Sequence, residues 1–153
     1  MKSKPLGPIP QGYTPIEGHL AIGGQTASHW ARQAGQTPLF VYSKDHLDQR
    51  VADLRAALPS RIGINYAVKA NPFAPVIAHM AGLVDGFDIA SAGELAMTNA
   101  AGIDSKRVSF AGPGKRDDEL EAAIAAGVTL NCESEGEARR SLHPMNEDIF
   151  GSA

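Results

Sequence analysis

The chain has 153 residues, enough for one domain with a real core, and its net charge of -3 and pI of about 5.9 offer no basic surface for nucleic acid or an anionic membrane. With 43% hydrophobic and 20% charged residues it has the composition of a soluble globular protein. The single cysteine, Cys132, excludes an internal disulfide and a cysteine-based metal cluster and fits a reducing, cytoplasmic setting, and no apolar run reaches signal-peptide or transmembrane length.

Residues 1–18, with Pro5, Pro8, Pro10 and Pro15, read as an extended leader. His19–Ile22 is expected to form one short strand. A helix from Thr26 to Ala34 follows, with Thr26 as its cap, Ala27, Trp30, Ala31 and Ala34 on one face, and Gly35 as its stop. From Thr37 onward the pattern becomes regular. Strand-like runs begin near Pro38 (PLFVYS), Ile62 (IGINYAVKA), Gly86 (GFDIAS), Arg107 (RVSFAG) and Val128 (VTLNCES). Each leads into a helical run, at residues 44–57, 73–81, 92–101, 115–126 and 135–142.

The strand starts are about 21 to 24 residues apart, the length of a compact βα unit. Three helices end in Ala81-Gly82, Ala101-Gly102 and Ala126-Gly127, where a glycine in the left-handed conformation returns the chain to the next strand. Strands alternating with single helices predict an α/β fold with a parallel sheet. An open doubly wound sheet and a (β/α)8 barrel both remain open, and about five units are too few for a closed barrel.

Alternation along each strand separates two faces. Ile64, Tyr66 and Val68, with Phe87, Ile89, Val108, Phe110, Val128, Leu130 and Cys132, form a bulky apolar face for helices to cover. Asn65, Ala67 and Lys69, with Asp88, Ala90, Ser109, Ala111, Thr129 and Asn131, form a small or polar face. A barrel interior is ordinarily filled with Val, Ile and Leu, so this face points to a ligand.

Lys69 stands at the end of its strand, on the edge where α/β folds bind ligands. An inward lysine there is either a rim residue that snorkels to solvent or one used in chemistry. Asp88 occupies the same face of the next strand, within about 4.8 Å of its neighbour, and suits either a structural ion pair or a charge that supports the amine. Glu94, in Ser91-Ala92-Gly93-Glu94, suits a helix cap as well as a site residue. Gly112-Pro113-Gly114-Lys115 lacks phosphate-loop spacing and reads as a βα turn. His19, His29, His46, His79 and His143 show no metal-binding spacing, and Cys132 reads as a small core residue.

The runs Tyr66-Ala67-Val68-Lys69-Ala70-Asn71 and Gly86-Phe87-Asp88-Ile89-Ala90-Ser91-Ala92-Gly93-Glu94-Leu95, continued by Arg107–Lys115 and Leu130–Ser134, resemble the fold-type III pyridoxal-phosphate decarboxylases, which include diaminopimelate, ornithine and arginine decarboxylases. The resemblance covers roughly residues 13–140. Within that family the leader and Ala111–Lys115 are most similar to the branch associated with exosortase gene systems. The resemblance implies pyridoxal 5'-phosphate as cofactor, Lys69 as its Schiff-base lysine, Asp88 against the same region and Glu94 nearby. It also implies an amino-acid substrate, loss of carbon dioxide and a homodimer for the full-length family; the histidine spacing leads to the expectation of no metal. The fold implied is part of an alanine-racemase-like (β/α)8 barrel, without the β-domain that follows it in the family.

Three segments are expected: residues 1–36 as leader, strand and helix, residues 37–142 as the first part of the barrel, and residues 143–153 as a divergent tail. In the family the later portion holds a ring-stacking histidine, a glycine-rich phosphate site, an acid for the pyridine nitrogen and a cysteine that completes the site across the dimer. The chain is therefore expected to be inactive alone. A racemase or cofactor carrier of the same barrel class, or a non-catalytic homologue that binds a decarboxylase, are the alternatives. The Phe87–Ser91 run with Gly93-Glu94 favours the decarboxylases.

Overall fold

A computed structural model describes Tyr13 and residues 15–149, with side chains through Leu142. Most of the expected proline-rich leader and the last four residues of the expected tail lie outside the described residues. The chain divides after Ala57 into two compact units.

In the first unit, β1 (Ala21–Ile22) pairs antiparallel with β2 (Gln25–Thr26), and α1 (Ala27–Ala34) follows directly. Thr26 caps α1 as its spacing predicts, accepting the His29 amide at 3.2 Å, and Gly35 ends it at φ 69°. Trp30 Nε1 donates to the Ile22 carbonyl at 2.9 Å, tying helix to hairpin. The expected strand at Pro38–Ser43 forms no ladder. Its Phe40 is 87% exposed, and a strand exists only where its amides find a partner. The chain enters α2 (Lys44–Ala57) instead, at the expected boundaries.

The second unit holds a four-stranded parallel sheet in the order β3 (Asn65–Ala67), β4 (Gly86–Ile89), β5 (Val108–Phe110), β6 (Thr129–Leu130). The helices α3 (Ala74–Met80), α4 (Ala92–Ala100), α5 (Asp117–Ala126) and α6 (Glu135–Ile149) follow the strands in turn. Of the five strand-like runs expected from Thr37 onward, these four form and Pro38–Ser43 does not. The last helix runs past its expected end at Leu142 into the segment read as tail. No helix among the described residues is long and apolar enough to cross a membrane.

Register confirms the division into two faces. Phe87, Ile89, Val108 and Phe110 are at most 2% exposed and form the core with Val76, Ile77, Leu95, Leu120 and Ala123 of the helices. Each large side chain buried there contributes about 1.5–3 kcal/mol. On the opposite face one row crosses the whole sheet, Ala67 to Asp88 to Ser109 to Thr129. Gly86 is fixed by close approach, since a Cβ there would lie 2.6 Å from Asn65 Oδ1 and 2.9 Å from the Arg107 carbonyl.

Three expectations are corrected in detail. Gly102 and Gly127 take the left-handed conformation at φ 71°, but Gly82 does not. After α3 the chain instead closes in successive turns, with Leu83 and Val84 amides both bonding the Met80 carbonyl. Cys132 is exposed rather than in the core, its Sγ 3.7 Å from Ser141 Oγ of α6, because β6 ends at Leu130 and the residue lies in the loop. The strand carrying Lys69 ends at Ala67, so Lys69 sits in a 3-10 turn, Val68–Ala70. The Asn71 amide bonds the Val68 carbonyl at 3.1 Å, the Tyr66 hydroxyl donates to the Asn71 carbonyl at 2.9 Å, and Pro72 has no amide to continue a ladder.

Candidate functional site

The carboxyl ends of β3 to β6 and the loops after them bring the expected site residues to one edge of the sheet. Lys69 is exposed, one residue into the turn that follows β3. It has no hydrogen bond or ion pair among the described residues. Asp88 is half-buried, level with Ala67 of β3 on one side and Ser109 of β5 on the other. Its Oδ1 accepts the Ser109 hydroxyl at 2.9 Å. The register sets Asp88 beside Ala67, two residues before Lys69, and among the described residues no ion pair joins Asp88 to Lys69. Aspartate has taken the neighbour that offers a fixed donor, while the flexible lysine extends to solvent.

Glu94 serves the helix end. Ser91 Oγ accepts the Glu94 amide at 3.2 Å and Glu94 Oε2 accepts the Ala90 amide at 2.8 Å, the reciprocal arrangement of a capping box displaced by one residue. The same arrangement recurs at α6. There Ser134 Oγ accepts the Glu137 amide and Glu137 Oε2 accepts the Glu133 amide, both at 3.1 Å. At α5, Glu119 Oε2 accepts the Arg116 amide at 3.1 Å, and its Oε1 reaches the Ala92 amide of α4 at 3.0 Å. These two backbone donors hold the buried Glu119 carboxyl below the usual glutamate range, the Ala92 bond first.

Lys115, read from sequence as part of a plain turn, is buried. Its Nζ donates to Glu137 Oε1 at 2.6 Å, the Gly112 carbonyl at 2.7 Å and the Asn131 carbonyl at 2.9 Å. All three ammonium protons are thus used. The hydrogen bond from Lys115 is the main cause that holds the Glu137 carboxyl below its ordinary value. Glu133 Oε1 accepts the Gly112 amide at 2.6 Å, so the loops after β5 and β6 are stitched together twice. The sequence carried a signal for this in the repeat Ser91-Ala-Gly-Glu94 and Ser134-Glu-Gly-Glu137, which marks equivalent helix starts.

Among the described residues no three His, Cys, Asp or Glu side chains gather as a metal site. An open depression in the first unit, lined by Ile16, Ala21, Gly23, Gly24, Ser43, Asp45 and His46, includes none of the residues at the sheet edge. The chemistry at that edge is an unpaired primary amine beside a row with no side chain larger than aspartate. Such a row leaves room for a flat ring, and the amine is the group that would hold an aldehyde cofactor, so the residues present fit pyridoxal phosphate.

Residues 44–147 match the family model described as pyridoxal-dependent decarboxylase, pyridoxal binding domain. The chain belongs to that family, and its parallel sheet with covering helices is part of an alanine-racemase-like barrel. It is 39% identical over 133 residues to the diaminopimelate decarboxylase of Aquifex aeolicus, covering 86% of this chain and 30% of that protein. It is also 39% identical over 92 residues to a lysine/ornithine decarboxylase of Selenomonas ruminantium, covering 60% of this chain and 23% of the relative. A crystal structure of Helicobacter pylori diaminopimelate decarboxylase complexed with L-lysine superposes with a TM-score of 0.70 at 29% identity, over 82% of this chain and 32% of the other. The chain thus spans about 30% of the length of the first of these relatives.

Proposed function

We propose that this chain is the cofactor-attachment part of a pyridoxal-phosphate-dependent amino-acid decarboxylase, with Lys69 as the residue that holds the cofactor. The observation that carries the reading is Lys69 itself, exposed and unpartnered among the described residues at the carboxyl end of β3, beside the row Ala67, Asp88, Ser109 and Thr129. When bound, pyridoxal phosphate supplies the sink for the electrons left as carbon dioxide departs from an amino acid. The chain's own residues bind and orient. Lys69 Nζ is the point of attachment. Asp88 keeps a negative oxygen on the same face and favours a protonated nitrogen there. Glu94 fixes the Ala90 amide, and with it the strand end that carries Asp88.

The relatives' names support a diamino acid of the diaminopimelate, lysine or ornithine kind as substrate. A homodimer and a cytoplasmic setting belong to the same reading, as does the exosortase-associated branch, which rests on Ala111–Lys115 and the leader. Segment limits of 1–36, 37–142 and 143–153 are proposed with it.

Borohydride reduction in the presence of pyridoxal phosphate, followed by peptide mass spectrometry, tests the central claim. The expected result is one modified lysine, Lys69, with labelling at that peptide abolished in Lys69→Ala. Labelling spread evenly over the surface lysines would overturn the assignment. Binding and turnover assays against diaminopimelate, lysine and ornithine then test the substrate class, and no preference for any of the three would overturn it.

A further inference from the structure

We propose that Tyr66 is a positioning residue of this site, its hydroxyl tying the turn that carries Lys69 back to the sheet so that the amine is presented from a fixed backbone. The proposal rests on the reading of Lys69 given above and gives a role to a residue that alternation alone places on the helix-covered face.

Lys69 stands between two anchors. On one side Val68 is 0% exposed. On the other, Asn71 is extended, at φ -161° and ψ 103°, and joins three hydrogen bonds. Its amide donates to the Val68 carbonyl at 3.1 Å, its Oδ1 accepts the Phe73 amide at 3.1 Å, and its carbonyl accepts the Tyr66 hydroxyl at 2.9 Å. The first two are internal to residues 68–73. Of the three, only the bond from Tyr66 reaches a residue of the ladder, where Tyr66 is level with Phe87 of β4. It therefore fastens the far end of the turn to the strand that enters it, with Lys69 between the two.

Ring packing alone does not call for a hydroxyl here. The Tyr66 ring meets Phe87 edge to face at 6.0 Å between centroids, and phenylalanine would keep that contact. A half-buried phenol oxygen is tolerated because its hydrogen bond offsets the desolvation. What the bond adds is order beneath Lys69. A lysine stem is long and rotamer-rich, and any backbone left loose below it must also be ordered when a ring is attached. A turn ordered in advance removes that part of the cost, which favours attachment at Lys69 over other exposed lysines.

Two measurements on the full chain test this. Without cofactor, hydrogen exchange is followed by NMR at the Asn71 amide, with the Ala111 amide, bonded to the Ile89 carbonyl, as reference. Tyr66→Phe is expected to speed Asn71 about fivefold, the effect of one ordinary hydrogen bond, and to leave Ala111 unchanged. With limiting pyridoxal phosphate, borohydride trapping then gives the labelling ratio of Lys69 to exposed Lys106, which should fall by a similar factor. Placing para-aminophenylalanine at position 66 restores a donor and should recover both readings.

An unchanged Asn71 exchange rate in Tyr66→Phe, equal acceleration at Ala111, or an unchanged labelling ratio where the wild type prefers Lys69 would overturn the proposal. Should Tyr66→Phe lose the wild-type far-UV circular dichroism, para-fluorophenylalanine at position 66 decides, because it fills the hydroxyl's space without a donor. Wild-type exchange at Asn71 in that protein refutes the role. A wild-type chain with no preference for Lys69 would sink the functional reading alone, since the exchange comparison uses no cofactor and still decides whether Tyr66 holds the turn.

Discussion

Lys115→Met replaces a buried ammonium by an apolar side chain of similar length and leaves Glu137 without its ion-pair partner. The side chains of this pair are 1% and 2% exposed, so the remaining carboxylate is not rescued by bulk water. Breaking a buried pair by removing one partner costs about 3–5 kcal/mol. The Gly112 and Asn131 carbonyls lose a donor as well, but Gly112 is half-buried and Asn131 exposed, so water can replace that bond. A loss near the lower end, about 3 kcal/mol, is therefore expected in urea unfolding followed by circular dichroism at pH 7. Adding Glu137→Gln removes the stranded charge and should recover at least about 1 kcal/mol of it. The pH dependence follows in sign. Glu137 is held below its ordinary value of 4.5, so its contribution is complete above that pH and is lost as pH falls through the lower folded value. The gap between wild type and Lys115→Met should accordingly close on acidification. A loss under about 1 kcal/mol at neutral pH, the range of exposed pairs, or a double variant whose loss is the full sum, would refute the idea that this pair ties the two loops together.

Glu119→Gln keeps the shape but offers one acceptor oxygen to two amides, Ala92 and Arg116, and should cost about 1 kcal/mol at pH 7. Because the Glu119 carboxyl is also held low, that advantage of the wild type should vanish as pH drops through its folded value, measured by denaturation at stepped pH. Gly86→Ala places a Cβ against the Arg107 backbone carbonyl at 2.9 Å and should destabilise by about 1–3 kcal/mol, a loss that urea midpoints read directly. Gly127→Ala, at φ 71°, should cost about 1 kcal/mol, whereas Gly82→Ala, which lacks a positive φ and meets only the His79 carbonyl at 3.8 Å, should change stability by less than about 0.5 kcal/mol.

The apolar faces of β4 and β5 were legible because each alternates without interruption and its buried residues are large. Helix ends at Thr26 and Gly35 were legible because both depend on one residue's local chemistry. Pro38–Ser43 was not, since its alternation fits a strand but a ladder needs a partner that composition does not specify. The turn at Lys69 was missed for a related reason: Tyr66 bonds a carbonyl five residues ahead, and that side-chain contact, with Pro72, ends the strand early. Lys115 was misjudged because exposure is the ordinary fate of a lysine in a glycine-proline loop. Its acceptor, Glu137, lies 22 residues away and becomes visible only when the Ser-x-Gly-Glu repeat is read as two equivalent helix starts.

Those repeats also explain where the free chemistry lies. At the starts of α4, α5 and α6 a glutamate three residues into the helix takes a backbone amide at or beside the cap, at Ala90, Arg116 and Glu133. Each of these strand ends is thus closed by its own carboxylate. The β3 end departs from the rule. Helix α3 follows Phe73, which makes no side-chain cap hydrogen bond, and Val76 stands where the others have glutamate. A glutamate there would bring a second anion to the loop that carries Lys69, and an ion pair with it would tie up the amine. Of the four strand ends of this sheet, the one that breaks the helix-capping rule is the one that leads to Lys69, the pattern its proposed role would produce.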